Sequence, residues 1–160
     1  MRIYILLAVV ACLTGCGTAN TLVLKPNMSR DKFARAELIA CKPNVDVPAD
    51  VTNELESVIR KGLNEGGAFS PGPDLRILYT IISYNPGNRA ARYLTGGIGD
   101  TGEGSIAVMV SYVDKNDKEL AQTQVQGRIG SGFFGGSLDN AIAKVGEDIV
   151  RFTIERFSTK

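Results

Sequence analysis

Residues 105–114, SIAVMVSYVD, and 119–129, ELAQTQVQGRI, stand on either side of the polar turn Lys115-Asn116-Asp117. In the first, Ile106, Val108, Val110 and Tyr112 alternate onto one face. In the second, Ala121, Thr123, Val125 and Ile129 point one way and Gln122, Gln124, Gln126 and Arg128 the other. Alternation at period two around a short polar turn predicts an antiparallel hairpin. A strand with one apolar and one amide face is half-buried: water wets one side of its sheet and a second layer covers the other.

Two segments can supply that layer. In 48–65, Val51, Leu55, Val58, Ile59 and Leu63 fall on one stripe at helical spacing. Pro48 suits a first turn, Asp50 sits near the positive end of the helix dipole, and Gly66-Gly67 is the stop. In 137–157, Leu138, Ile142, Val145, Ile149 and Phe152 recur at spacings of four and three, behind Ser137 as N-cap. The stretch 75–84, LRILYTIISY, is apolar on both faces, as a central strand should be. Shorter strands are predicted at 21–25 (TLVLK) and 36–41 (AELIAC), with loop at 27–32, a turn at 70–73 (SPGP) and glycine-rich connections at 86–104 and 130–136. The order β-β-α-β-β-β-α predicts one α+β domain over 21–160, a two-layer arrangement of a mostly antiparallel sheet with both helices packed on one face.

Ahead of that domain lies a leader. Met1-Arg2 is followed by an apolar run at 3–13, IYILLAVVACL, too short for a bilayer core that needs roughly 20 residues and suited to a signal peptide. The run ends in Leu13-Thr14-Gly15-Cys16, which looks like the lipobox of bacterial lipoproteins. That likeness implies cleavage after residue 15, lipid on Cys16 and a short tether over 16–20. Two or more acyl chains anchor a protein stably where one does not. Gly17, in place of an aspartate, favours the outer membrane facing the periplasm.

Composition narrows the chemistry. Without Arg2 the chain carries 17 basic residues against 17 acidic ones, so no basic excess favours nucleic acid. There is no His, which removes the commonest general base and metal ligand, and no Asp/Glu pair or ligand spacing stands out. Neither catalytic residues, a metal nor a cofactor is expected, and the reading is of a protein that is not an enzyme. Cys41, left alone once Cys12 is cleaved away and Cys16 is lipidated, reads as a buried, inert thiol.

Two stretches, 97–102 and 130–135, match G-x-G-x-x-G. The first runs into a strand and the second opens no βαβ unit, so neither reads as a dinucleotide loop. What the glycine segments offer is contact. Arg89 and Arg92 lie in the first, and Phe133 and Phe134 in the second. All four are candidates to touch a partner.

The run Gly87-Asn88-Arg89-Ala90-Ala91-Arg92-Tyr93, glycines 96, 97, 99 and 104, the strand ending at Asp114, Gly135-Gly136 and the helix containing Ala141-Ile142-Ala143 resemble the bacterial lipoproteins of domain of unknown function 4410. The resemblance covers roughly 75–157 and the lipobox. It implies a small envelope lipoprotein and no particular activity. The expectation is thus a membrane-anchored, non-enzymatic module that binds another envelope protein. The alternative is a small-ligand carrier or sensor using 86–104 and 130–136.

Overall fold

The computed structural model describes residues 18–27, 29–87, 104–129 and 137–160. The elements are β1 (Thr18–Lys25), β2 (Arg35–Ala40), α1 (Ala49–Asn64) with a 3-10 turn at Glu65–Gly67, β3 (Ser70–Pro71), β4 (Leu75–Asn85), β5 (Ser105–Asp114), β6 (Glu119–Arg128) and α2 (Leu138–Phe157). The strands form one six-stranded sheet in the order β1-β6-β5-β4-β2-β3. Pairing is antiparallel from β1 to β4, while β2 runs parallel to β4 and to β3. The fold is α+β in two layers.

The hairpin holds the predicted register, with Val108 opposite Val125 and Val110 opposite Thr123. Ile106, Val108, Val110 and Tyr112 are fully buried with Ala121 and Val125, whereas Gln122, Gln124 and Gln126 are half-exposed. Beneath the apolar face lie Leu55 and Ile59 of α1 and Ile142, Val145 and Ile149 of α2. The helices touch through glycines: a methyl group on Gly146 would come within 2.6 Å of Val58, and one on Gly62 within 2.8 Å of Val150. Because 58 meets 146 and 62 meets 150, the helices run parallel. Gly127 of β6 serves the same end, since a Cβ there would lie 2.8 Å from the Ala141 carbonyl oxygen and block the approach of α2.

An aromatic group closes the core. Tyr112 stacks on Phe157 with ring centroids 4.9 Å apart, and Phe152 lies 5.3 Å from Tyr112. Burial pushes the Tyr112 hydroxyl up to about 12. Thr153 donates to the Ile149 carbonyl at 2.7 Å and lies 3.4 Å from that hydroxyl.

Four sequence expectations shift. β1 begins at Thr18, so residues 18–20 are strand and not tether; their pairing with Arg128, Gly127 and Gln126 of β6 is a long-range event that no local pattern announces. Ser70–Pro71, expected as turn, forms a two-residue strand beside Arg35 and Ala36. Pro48 is the residue before α1 and not its first turn. Cys41 is half-buried, not buried, and its amide donates to the Tyr79 carbonyl at 2.8 Å.

Candidate functional site

Antiparallel register collects four strand ends in one row: Thr18 opposite Arg128, Arg128 opposite Ser105, and Ser105 opposite Asn85. This Thr18 end of the sheet is where β1 starts, where β4 leaves toward 88–103, where β5 re-enters and where β6 leaves toward 130–136. The Ile129 amide donates to the Gly104 carbonyl at 3.0 Å, tying the return of one segment to the departure of the other. A Cβ on Gly104 would stand 2.5 Å from Ile129 Cδ1 and 3.1 Å from the Pro86 carbonyl oxygen, so only glycine fits. The chain leaves β4 through an Asn85 side chain that accepts from the Gly87 amide at 2.9 Å, with Gly87 at φ +73°.

Both helices start at the same end. The Ser137 hydroxyl accepts from the Asn140 amide at 3.2 Å and caps α2. Tyr84, near the end of β4, has its hydroxyl pushed up by burial first and then by the negative charges of Asp50 and Asp139, one from the first turn of each helix. Two helix amino termini and four strand ends therefore share one end of the domain.

Of the site residues expected from sequence, Cys16, Arg89, Arg92, Phe133 and Phe134 lie outside the described residues, as do both G-x-G-x-x-G stretches. The described residues show where the segments holding them depart and return. Sequence reading singled out the two segments separately; that the strand ends flanking them lie beside the start of β1 rests on strand register.

Elsewhere the polar groups are structural. Asp74 accepts from Arg35 Nε and Nη2 at 2.8 Å each, and this pairing holds its carboxyl below the usual carboxylate range. Asp114 is held low by the backbone amides of Lys118 and Asn116 in the hairpin turn. Glu56 accepts from Arg60 Nε at 2.7 Å and from the Tyr79 hydroxyl at 3.1 Å. Arg60 is the larger cause of its lowered carboxyl, and burial with the Glu56 charge raises Tyr79 well above an ordinary phenol. Among the described residues no three His, Cys, Asp or Glu side chains gather closely enough to hold a metal ion. Shallow grooves of about 370 Å³ beside Leu38, Arg60 and Phe69 and about 500 Å³ beside Arg35, Asp74 and Asp114 lie away from the Thr18 end.

No model of a protein family matches the sequence, that of domain of unknown function 4410 included, and no curated protein matches it. Solved structures do match. A PelC dodecamer from Paraburkholderia phytofirmans aligns with a TM-score of 0.55 at 13% identity, over 90% of this chain and 99% of that one. A protein from Xanthomonas campestris assigned to domain of unknown function 330 aligns at 0.41 and 12% identity, over 82% and 83% of the two chains. A minor lipoprotein from Acinetobacter baumannii aligns at 0.41 and 13% identity, over 76% and 94%. At 13% identity the likeness to PelC is one of fold.

Proposed function

We propose that this protein is a lipoprotein of the bacterial envelope, anchored through Cys16 in the outer membrane facing the periplasm, whose domain is a non-enzymatic module that binds another envelope protein. The observation that carries the reading is the gathering, at one end of the sheet, of β1's start with the strand ends from which the chain leaves for 88–103 and 130–136. Only Gly17 separates Cys16 from Thr18, a reach of about 7 Å at most over two residue steps. A lipid on Cys16 holds that end at the membrane surface, where a partner in the same membrane is within reach of Arg89, Arg92, Phe133 and Phe134. The alternative is a small-ligand carrier or sensor using residues 86–104 and 130–136.

Metabolic labelling with a palmitate analogue tests the anchor. The wild type takes up label and sediments with membranes, and Cys16→Ser loses both; a variant that labels and fractionates like wild type overturns the reading. The partner is tested by envelope pull-down with the lipidated protein. One specific protein is recovered, and Phe133→Ser/Phe134→Ser loses it while remaining in the membrane fraction. Recovery of no specific protein sinks the binding role.

A further inference from the structure

Four large apolar residues are exposed among the described ones, and three of them are consecutive on one strand: Leu22 at 58%, Val23 at 42% and Leu24 at 43%. That strand, β1, stands beside β6 at the end of the sheet order. Leu22 lies opposite Gln124 and Val23 opposite Thr123, so the two side chains leave the strand on opposite faces. Exposure on both faces makes the rim of the sheet apolar, and not one of its surfaces. The same strand begins next to the proposed lipid site. With Gly17 alone between them, Thr18 stays within about 7 Å of Cys16. Leu22 follows four residues later, about 14 Å along an antiparallel strand.

Two surfaces lie close enough to that site to rest on a membrane. One is the Thr18 end, where both helices begin and where the carboxylates of Asp50 and Asp139 are exposed. A carboxylate pressed into lipid must give up its water or its charge, and both are costly. The other is the β1 rim. β1 holds no acidic residue, and the carboxylates beside it are already paired, Glu119 with Lys25 at 2.8 Å and Asp148 with Arg151 at 2.7 Å. Asp148 also accepts from the Thr21 hydroxyl at 3.4 Å, which places the Arg151 pair against β1. Exposed apolar side chains flanked by cations suit a lipid surface, where acyl chains lie beneath phosphates.

We infer that the domain lies on its β1 rim against the lipid surface, with Leu22, Val23 and Leu24 at the headgroup boundary. The inference rests on the proposed anchor at Cys16, which makes lipid the surface nearest to this strand. Only side chains enter the apolar boundary; the β1 backbone stays at headgroup level, where water reaches N–H and C=O groups. β1 then runs along the membrane. The strand ends at Thr18, Arg128, Ser105 and Asn85 point along the surface, toward a neighbour in the same membrane. The β2 side of the sheet faces away from the lipid.

The test uses the full lipidated chain in vesicles of phosphatidylethanolamine and phosphatidylglycerol that carry a nitroxide high on an acyl chain. In a Cys41→Ser background, Leu22→Cys on β1, Asn140→Cys at the start of α2 and Glu37→Cys on β2 each bear one polarity-sensitive fluorophore. The nitroxide should quench the probe at Leu22 about three times as strongly as the other two. Adding Leu24→Asp to the Leu22→Cys chain should weaken that quenching. Quenching at Asn140 as strong as at Leu22 would mean that the domain stands on its Thr18 end. A probe at Leu22 that reports an apolar setting yet escapes the nitroxide would mean that protein, a second copy included, covers the rim. Either result overturns the inference, as does equal quenching at Leu22 and Glu37. A chain that takes up no palmitate analogue overturns the anchor and this inference with it, whereas a lipidated chain left unquenched at Leu22 overturns the inference alone.

Discussion

Along β2 the outward carbonyls of Ala34, Ala36 and Leu38 accept bonds within the chain, the last from Arg60 of α1; along β1 the outward groups have no partner among the described residues, and Leu22, Val23 and Leu24 are exposed. The contrast lies in what was spent on each edge. On the β2 side a chain of contacts runs from the Tyr79 hydroxyl of β4 through Glu56 to Arg60 and so to the Leu38 carbonyl. A buried strand supports a carboxylate, the carboxylate orients a guanidinium, and the guanidinium meets the outward carbonyl. On the β1 side the side-chain contacts are Lys25 Nζ to Glu119 at 2.8 Å and Thr21 Oγ1 to Asp148 at 3.4 Å, which tie the strand to β6 and to α2.

The largest expected effect compares one leucine from each edge. Leu38 is 5% exposed and packs into the core, so Leu38→Ala should cost about 2–4 kcal/mol. Leu22 is 58% exposed, so Leu22→Ala should stay within about 0.5 kcal/mol. Urea unfolding of the unassociated protein measures both, and comparable losses would show that β1 is packed far more deeply than its exposure indicates.

The strands between the edges should answer to alkali. Burial raises the Tyr112 hydroxyl from 10.0 to about 12, so the folded state favours the neutral phenol. The resulting stability is intact below the unfolded value and is lost as pH rises toward the folded one, between 10 and 12, at up to about 1.4 kcal/mol per pH unit. Denaturant midpoints followed through that range should fall more steeply for wild type than for Tyr112→Phe. The variant keeps some slope because Tyr79 is raised as well. Parallel curves would mean that Tyr112 reaches water.

A smaller effect sharpens the contrast itself. Arg60→Met keeps the stem over α1 but uncovers the Leu38 carbonyl, at a cost under about 1 kcal/mol because the guanidinium is half-exposed. Urea unfolding reads the loss, and an unchanged midpoint would show that the bond from Arg60 to the Leu38 carbonyl adds nothing to stability.

Much of this was legible from residues alone. The alternation in 105–114 and 119–129 specified the hairpin and which of its faces is wet, and the stripes Val51-Leu55-Ile59-Leu63 and Leu138-Ile142-Val145-Ile149 specified two helices with one buried side each. These are periodic patterns, and a period states which way a side chain points without reference to any distant residue. The candidate contacts Arg89, Arg92, Phe133 and Phe134 came from composition alone, and composition says nothing of where a segment sits.

What only the tertiary structure decided was neighbourhood. Thr18 lies opposite Arg128, 110 positions later, because β1 closes onto β6. The parallel pairing of β2 with β4 follows from the crossover through α1, and Arg60 reaches Leu38 across it. The physical reason is the same in each case: strand pairing satisfies backbone groups that are chemically alike in every residue, so the choice of partner is left to the packing of whole faces. The sequence alone therefore carried the hairpin and the helical stripes. The gathering of four strand ends beside Thr18, and the contacts that the two outer strands make, belong to the folded sheet.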